Sequence, residues 1–211
     1  MPELPIACLT RGRSTSLSEF EEVPDECAPD EEWASYFANL ANCMAPREQD
    51  CPAQPAEVAP GIFLGGLLEA ESVTSLTSRG VDCVLCMAPG MCGGSQARGY
   101  PASFDMLDID AQDAEDYDLF SSDMPLAFDF VERCLHGNRR VLVHCYAGMN
   151  RSATVCAAWM LREQRMPLGT VVRHLAGQRG LVLQNTFFLR GLVKLARHEG
   201  LLGDPDPDLH I

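Results

Sequence analysis

The segment from residue 141 to residue 154 constrains the fold of this chain more than any other, because a very short loop in it joins two apolar patterns. It reads Val-Leu-Val-His-Cys-Tyr-Ala-Gly-Met-Asn-Arg-Ser-Ala-Thr. The apolar run at 141–143 predicts a buried strand, and residues 153–161 predict a buried helix. Residues 146–150 must then form a loop that ends at a helix N-terminus, where unpaired backbone N–H groups and the helix dipole attract an anion.

Three side chains in this segment have the chemistry of a phosphate site built around a thiolate. Cys145 begins the loop, where the backbone N–H groups and the guanidinium of Arg151 favour the thiolate over the thiol. Arg151 has the fork geometry to bind two phosphoryl oxygens at once, which a lysine cannot do. Ser152 can donate a hydrogen bond to the sulfur and assist its departure when a covalent thiophosphate is hydrolysed. We therefore predict Cys145, Arg151 and Ser152 as catalytic residues.

The loop is predicted to bind the substrate mainly through its backbone N–H groups. Its glycine permits a tight turn, and the other side chains shape the rim of the site. The predicted substrate-binding residues are Tyr146, Ala147, Gly148, Met149, Asn150 and Arg151. His144 precedes the cysteine on the strand, so we expect its side chain to point away from the phosphate and to bond the loop backbone. Its charge could also favour the thiolate.

The stretch His-Cys-x5-Arg-Ser, from residue 144 to residue 152, resembles the signature His-Cys-x5-Arg-Ser/Thr of cysteine-dependent protein phosphatases. The ending Arg-Ser-Ala-Thr is similar to that of the dual-specificity branch. This resemblance implies a catalytic domain over residues 57–202, a phosphocysteine intermediate and phosphorylated proteins as substrates. It also implies that the enzyme needs neither a metal nor any other cofactor.

The resemblance extends beyond the signature. Residues 58–65 and 80–85 are similar to the first two strands of the family. Residues 179–185, followed by Phe188, are similar to its Arg-x4-Pro-Asn-x2-Phe segment, with Gln184 where proline is usual. Asn185 matches the asparagine of that segment, and we predict that it supports the site.

A phosphatase of this kind also needs a carboxylic acid above the loop. The acid protonates the leaving oxygen and then takes a proton from the water that attacks the thiophosphate. The candidates are Asp105, Asp108, Asp110, Asp113, Glu115, Asp116 and Asp118. In the family that this chain resembles, the acid lies about four residues after the last aliphatic residue of a strand and about six before an apolar helix. Counting from Ile109 and from Leu119 both give Asp113, with Asp110 and Asp116 as the alternatives.

Two further groups of residues leave alternatives open. Arg179 could form a second positive site for a neighbouring phosphate or acidic residue, or it could satisfy carbonyl groups at a helix end. Cys83, Cys86 and Cys92 resemble part of a zinc site, but they have no fourth ligand at a suitable spacing. We therefore interpret them as buried thiols. Cys86 is also the best candidate to trap oxidised Cys145 as a disulfide.

The remaining pattern predicts an α/β fold with a central, mainly parallel, twisted sheet. Strand patterns occur at 61–66, 81–88, 104–109 and 141–145, and helix patterns occur at 67–79, 120–135, 153–165, 166–178 and 188–196. A Gly/Pro-rich loop is expected at 89–103. Strands separated by helices favour a single domain with helices on both faces of the sheet. The reactive loop would then lie at the carboxyl end of a central strand, where open α/β sheets bind their ligands.

The acidic character of the chain belongs to its two ends. Residues 1–57 carry a net charge of −9, residues 58–202 carry −2 and residues 203–211 carry −3, out of a total of −14. We predict an acidic N-terminal extension over residues 1–56 and an acidic tail over 203–211. The extension is expected to be partly disordered, with a short amphipathic helix over 30–43. That helix either docks on the domain or binds a protein partner or a second copy of the chain.

Charge and hydropathy argue against several classes of partner. No basic face is visible in the sequence, which disfavours nucleic acid. The first twenty residues lack the pattern of a secretory signal, and no stretch approaches the length of a membrane span. We therefore expect an intracellular protein, cytoplasmic or nuclear, without a membrane partner.

Together these observations predict a protein phosphatase that hydrolyses phosphotyrosine and phosphoserine or phosphothreonine. The alternative from another class is a catalytically weak module that binds phosphoproteins. An RNA 5′-triphosphatase is considered because related loops carry asparagine before the arginine. It is less favoured because RNA binding would need a basic surface. A phosphoinositide phosphatase would be expected to carry lysines in the loop, and residues 146–150 have none.

Overall fold

A computed structural model describes residues 28–46 and 54–203 of the protein. The strands are β1 (Ala56–Ala59), β2 (Ile62–Gly65), β3 (Val81–Cys86), β4 (Asp105–Asp108) and β5 (Arg140–His144). The helices are α1 (Asp30–Met44), α2 (Leu67–Glu71), α3 (Val73–Ser78), α4 (Pro89–Cys92), α5 (Asp123–His136), α6 (Arg151–Glu163), α7 (Leu168–Arg179) and α8 (Thr186–Glu199). The predicted disorder before residue 28 and the predicted tail after residue 203 lie outside the described residues. Within those residues, no helix is long and apolar enough to cross a membrane.

Five strands in the described part of the chain form one sheet in the order β1-β2-β5-β3-β4. Strands β2, β5, β3 and β4 pair in parallel, and β1 pairs antiparallel with β2 at one edge. Strand β5 therefore lies at the centre, and the loop that follows it opens at the carboxyl edge of the parallel strands. The predicted α/β fold with a mainly parallel sheet is confirmed.

Both faces of the sheet are covered, as the apolar strands require. Side chains alternate along β5, so that Val141 and Val143 join the core formed with α1 and with α5 to α8. Leu142 joins the smaller core on the opposite face, with Ala70 of α2 and Leu76 of α3. The central strand is thus held between two apolar layers, and this fixes the start of the reactive loop.

Two of the predicted elements differ from the structure. The helix pattern at 67–79 divides into α2 and α3 at Ser72, whose backbone leaves the helical region with φ −84° and ψ 68°. The β-branched residues Val73 and Thr74 follow the break, and such side chains lose rotamer freedom in a helix. The predicted loop at 89–103 contains α4 and a 3₁₀ turn at Gln96–Arg98.

The start of α5 also differs, because the expected helical position of Phe120 is wrong. The Asp118 carboxylate accepts the backbone N–H groups of Phe120 and Ser121 at 3.0 and 3.2 Å, which satisfies them in a turn instead of a helix. The ring of Phe120 packs on α8, where a Cβ atom at Gly191 would lie 2.1 Å from its Cε2. The segment between β4 and α5 is therefore an irregular loop, and it carries Asp113.

Helix α1 docks on the domain through its apolar stripe. Its bounds agree closely with the predicted helix over residues 30–43. Trp33 is 3% exposed, and Phe37 and Leu40 are each 1% exposed. These side chains belong to the main core, and the helix packs against α7 and α8. Of the two alternatives for this stripe, docking on the domain is the one that the structure shows.

We expect Phe37→Ala to destabilise the whole domain, because Phe37 fills a fully buried position between α1 and the main core. Truncation of a buried phenylalanine typically costs about 3–5 kcal/mol. Denaturant unfolding of the full chain measures this loss. Ser35→Ala on the exposed face of the same helix is the matched control and should change the free energy of unfolding by less than about 0.5 kcal/mol. Equal stability of Phe37→Ala and the wild type would contradict the docked position of α1.

Candidate active site

The loop at residues 146–150 folds tightly against the end of β2. Gly148 has a φ of 71°, and a Cβ atom there would lie 2.6 Å from the carbonyl carbon and oxygen of Gly65. The backbone N–H of Leu67 donates a hydrogen bond of 2.9 Å to the carbonyl oxygen of Tyr146. The predicted need for glycine at position 148 therefore has two causes, the left-handed backbone and the close approach of another chain segment.

The loop runs directly into the N-terminus of α6. Asn150 occupies the N-cap position, yet its side chain makes no capping bond to the helix. The first intrahelical bond is donated by the backbone N–H of Thr154 to the carbonyl oxygen of Asn150, at 2.8 Å. The N–H groups of residues 151–153 therefore have no intrahelical acceptor. Such a helix end attracts an anion, as the sequence predicts.

Cys145 and Ser152 meet beneath the loop. Cys145 follows the last residue of β5 and is 1% exposed, and Ser152 lies in the first turn of α6 and is fully buried. The Ser152 hydroxyl oxygen lies 3.3 Å from the Cys145 sulfur, within hydrogen-bond range. The structure thus brings together the two groups that were predicted to share the sulfur chemistry.

The guanidinium of Arg151, at the start of α6, is buried. Its Nη1 donates a hydrogen bond of 3.1 Å to the carbonyl oxygen of Ala111. Its buried Nε has no hydrogen-bond partner among the described residues, and it lies 3.9 Å from a carboxylate oxygen of Asp113. A buried donor without an acceptor is costly, so a phosphoryl oxygen at this point would relieve that cost.

One pocket contains three of the predicted catalytic groups, Cys145, Arg151 and Asp113. Its wall also contains the predicted binding residues Tyr146, Ala147, Met149 and Asn150, together with Asn185. Gly148, Ser152 and His144 are buried behind this wall. Neither alternative acid, Asp110 or Asp116, lines the pocket.

Asp113 is held in place by two amide side chains. Nδ2 of Asn150 lies 3.2 and 3.1 Å from its two carboxylate oxygens, and Nδ2 of Asn185 donates a hydrogen bond of 2.8 Å to Oδ1. Oδ1 of Asn150 in turn accepts the backbone N–H of Gln184 at 2.8 Å. Asn185 also caps α8 by accepting the N–H groups of residues 187 and 188. The loop, Asp113 and the start of α8 therefore form one hydrogen-bonded unit.

The side chain of Asn150 thus holds Asp113, a role that the sequence did not predict. The sequence predicted only a contact of its backbone with the substrate and its place on the rim. Two further residues line the pocket that the pattern did not single out: Met91 and Thr186. Glu115, one of the seven candidate acids, also lines it. The Met91 sulfur lies 3.6 Å from Nη2 of Arg151. No local periodicity points to these residues, since Met91 lies in α4 and Thr186 begins α8, and the two segments meet only in the folded chain.

His144 bonds the loop backbone, as predicted, but the suggestion that its charge favours the thiolate is wrong. Its Nδ1 lies 3.2 Å from the carbonyl oxygen of Cys145, and its Nε2 lies 3.2 Å from Nη1 of Arg98. Burial, together with the nearby positive charge of Arg98, lowers the pKa of His144 to about 4. The imidazole is therefore neutral near pH 7. Since Arg98 can only donate, Nε2 accepts and Nδ1–H donates to the loop.

Arg179, the last residue of α7, meets an acidic residue of the protein itself, and its Nη2 donates to the carbonyl oxygen of Ala147 at 3.5 Å. Its Nη1 lies 3.1 Å from Oε1 of Glu69, and both side chains are largely buried. The other carboxylate oxygen of Glu69 accepts the backbone N–H of Gly66 at 2.8 Å. Arg179 is therefore neutralised by an ion pair next to the reactive loop, and its charge is not available to a second phosphate.

Cys83 and Cys86 are buried thiols, as the sequence indicated, and Cys92 is partly buried. The Cys83 thiol donates to Oδ1 of Asp82 at 3.6 Å. The sulfur atoms of Cys86 and Cys92 and a ring nitrogen of His144 all lie within 4.8 Å of one another. Burial raises the pKa of the Cys86 thiol to about 12, so this thiol stays protonated near neutral pH. A protective disulfide between Cys86 and Cys145 stays a prediction.

Comparison with protein families gives a match that includes this site. The family model described as "Dual specificity phosphatase, catalytic domain" matches residues 75–198. Among curated proteins, dual specificity protein phosphatase 26 of Bos taurus is 33% identical over 146 residues, covering 67% of this chain and 66% of that protein. Dual specificity protein phosphatase PHS1 of Arabidopsis thaliana is 31% identical over 115 residues, covering 54% of this chain and 12% of that protein.

The chain thus spans less than two thirds of the length of the curated relatives it matches, and in one case only 12%. Solved structures agree in fold. Human DUSP28 has a TM-score of 0.59 at 23% identity, covering 67% of this chain and 91% of that one. The human tyrosine phosphatase-like serine/threonine/tyrosine-interacting protein also has a TM-score of 0.59, at 22% identity, covering 68% of this chain and 95% of that one.

Proposed function

Because the chain belongs to the dual specificity phosphatase family, we propose that it hydrolyses phosphotyrosine and phosphoserine or phosphothreonine in proteins, through a phosphocysteine formed on Cys145. One observation carries the proposal. Cys145, Arg151 and Asp113 line a single pocket, and the Ser152 hydroxyl lies 3.3 Å from the sulfur. Such a reaction needs a nucleophile, an oxyanion-binding group, a proton donor and a group that assists the leaving sulfur.

In the first step the Cys145 thiolate attacks phosphorus, a sulfur–phosphorus bond forms, and the bond to the leaving oxygen breaks. Asp113 gives that oxygen its proton. The N–H groups at the start of α6 and the guanidinium of Arg151 bind the three remaining phosphoryl oxygens. Nε of Arg151 has no hydrogen-bond acceptor among residues 28–46 and 54–203, and this supports the role, since a phosphoryl oxygen supplies one.

In the second step a water molecule attacks the phosphocysteine and gives a proton to Asp113. Inorganic phosphate leaves, and the sulfur–phosphorus bonding pair returns to Cys145 as a thiolate. The Ser152 hydroxyl donates to the sulfur as its negative charge develops. Asn150 and Asn185 act as positioning residues for Asp113, because both amides hold its carboxylate above the loop. No step needs a metal or another cofactor.

We assign the catalytic unit to residues 57–202, with residues 1–56 as an extension that has a regulatory or docking role and 203–211 as an acidic tail. Helix α1 within the extension packs on the main core, so deletions past residue 29 are expected to cost stability. A deletion of residues 1–29 removes no proposed catalytic group. Whether the extension also binds a protein partner or a second copy remains a separate hypothesis.

The alternative from another class is a phosphoprotein-binding module that does not turn over its ligand. One structural neighbour is a tyrosine phosphatase-like serine/threonine/tyrosine-interacting protein, and its name suggests such a module. The contact between Ser152 and Cys145, and the position of Asp113 in the same pocket, favour the enzyme. An RNA 5′-triphosphatase is disfavoured by the net charge of −14.

The test is hydrolysis of two peptides of one sequence, one carrying phosphotyrosine and the other phosphothreonine, by the purified full chain. We expect phosphate release from both peptides and competitive inhibition by vanadate, whose geometry matches the five-coordinate transition state. Release from the phosphotyrosine peptide alone would restrict the proposal to tyrosine. Saturable binding of both peptides without phosphate release would establish the binding module and overturn the enzyme.

A further inference from the structure

A second cluster of reactive side chains lies under the loop, outside the pocket that would bind phosphate. It consists of Cys86 at the end of β3, Cys92 at the end of α4 and His144 at the end of β5. Strands β3 and β5 pair in parallel with Cys86 opposite His144, so these side chains are neighbours on one face of the sheet. The chain then turns through α4 and brings Cys92 back over them.

His144 is prepared to act as a metal ligand by the hydrogen bond on its far side. Its Nδ1–H donates to the carbonyl oxygen of Cys145, which leaves the lone pair of Nε2 as the available donor atom. A ligand histidine is commonly fixed in this way by a backbone carbonyl on its other nitrogen. Only the Nη1 of Arg98 competes for Nε2 among the described residues, at 3.2 Å.

We propose that Cys86, Cys92 and His144 form a binding site for one zinc ion, separate from the phosphate pocket. Two cysteine sulfurs and an imidazole nitrogen are the ligands that zinc prefers, and a water molecule takes the fourth position of a tetrahedral site. The three ligand atoms lie within 4.8 Å of one another. Zinc bonds of about 2.3 Å to sulfur and 2.0 Å to nitrogen require the atoms to approach by up to about 1 Å.

The local structure allows that approach. Cys92 is half-exposed and ends a helix of only four residues, followed by Gly93 and Gly94 with left-handed backbones. Cys92 is the one ligand of the three that reaches the surface, and the two glycines give the chain after it a wide range of backbone conformations. Cys86 and His144 are both fully buried and stay fixed by the sheet.

The charge balance is also favourable. Binding releases the two thiol protons, and one zinc ion with two thiolates is neutral, so the guanidinium of Arg98 is not repelled. The ion takes Nε2 from Arg98, whose Nη2 keeps its hydrogen bond of 2.6 Å to the carbonyl oxygen of Cys92. Arg98 would then lie beside a thiolate sulfur as an outer partner. Zinc binding needs neither Cys145 nor turnover, so it can be tested independently of the proposed function.

The site is testable with cobalt(II), a spectroscopic probe for zinc sites with thiolate ligands. We expect the reduced full chain carrying Cys145→Ser to bind cobalt with a thiolate-to-metal charge-transfer band, and zinc to displace it. Adding Cys92→Ser should lower the cobalt that binds with this band by one ion per chain. Adding Cys43→Ser, which changes an exposed cysteine on α1, should leave the band unchanged.

A second measurement covers the case in which a cysteine variant folds poorly. Zinc that binds the native site raises the midpoint of thermal unfolding, and Cys92→Ala should abolish this rise while the chain still binds phosphopeptide. Two results would overturn the proposal. The first is a charge-transfer band that persists in both Cys92 variants. The second is a band that the wild type shows and the Cys145→Ser parent lacks. The second result would place the metal on the catalytic thiolate instead.

Discussion

Cys145→Ser should abolish hydrolysis of phosphopeptides while leaving their binding intact. A serine hydroxyl at this position is not ionised near neutral pH, so the nucleophile is lost. The groups that hold the phosphate survive, because the helix N-terminus and Arg151 are unchanged. Phosphate release should fall to the background rate, and calorimetry should still detect binding of a phosphotyrosine peptide.

The matched control is Cys43→Ser, which replaces an exposed cysteine far from the loop and should keep the wild-type rate. Hydrolysis by the purified Cys145→Ser protein at more than a trace of the wild-type rate would contradict the covalent mechanism. Loss of both binding and hydrolysis, with unchanged thermal stability, would contradict the role of the loop as an independent phosphate cradle.

Asp113→Asn should lower kcat for phosphotyrosine by about 10²–10⁴-fold, the usual contribution of general acid–base catalysis. Phosphotyrosine has a poor leaving group, which needs the proton from Asp113. An activated aryl phosphate needs less protonation, so its loss should be smaller.

Asp110→Asn and Asp116→Asn are the controls, since both residues are acidic neighbours in the same loop that do not line the pocket. Both should stay near the wild-type rate. Asp113→Ala serves as a second variant, because an amide at position 113 would face the amide groups of Asn150 and Asn185. A collapse of either control, with Asp113→Asn still active, would move the acid to another residue.

Sequence patterns were sufficient for the parts of the site that are built locally. The strand that ends at His144, the five-residue loop and the helix that begins at Arg151 follow one another in the chain, so periodicity and spacing predict their order. The contact between Ser152 and Cys145 follows from that order alone. Asp113 is further away in sequence, and it was selected by counting from Ile109 and Leu119 as the resemblance to the family implies; the structure places it in the pocket.

The features that the sequence did not predict depend on contacts between distant segments. The neutral state of His144 follows from its burial and from Arg98, which is 46 residues away. The ion pair that removes Arg179 from phosphate binding joins it to Glu69, which is distant in sequence. Apolar periodicity carries no information about such polar pairs, because each is fixed only when the segments pack together.

The central claim is that phosphate passes through a covalent bond to Cys145, and one measurement tests it most directly. Ser152→Ala should slow departure of the sulfur and let the phosphocysteine accumulate. The variant is mixed with an excess of an activated aryl phosphate, quenched in acid within its first turnover and digested for mass spectrometry. We predict one phosphoryl group per chain, on the peptide that contains Cys145. A burst of aryl alcohol equal to the enzyme concentration, with no phosphoryl group on that peptide, would contradict the account.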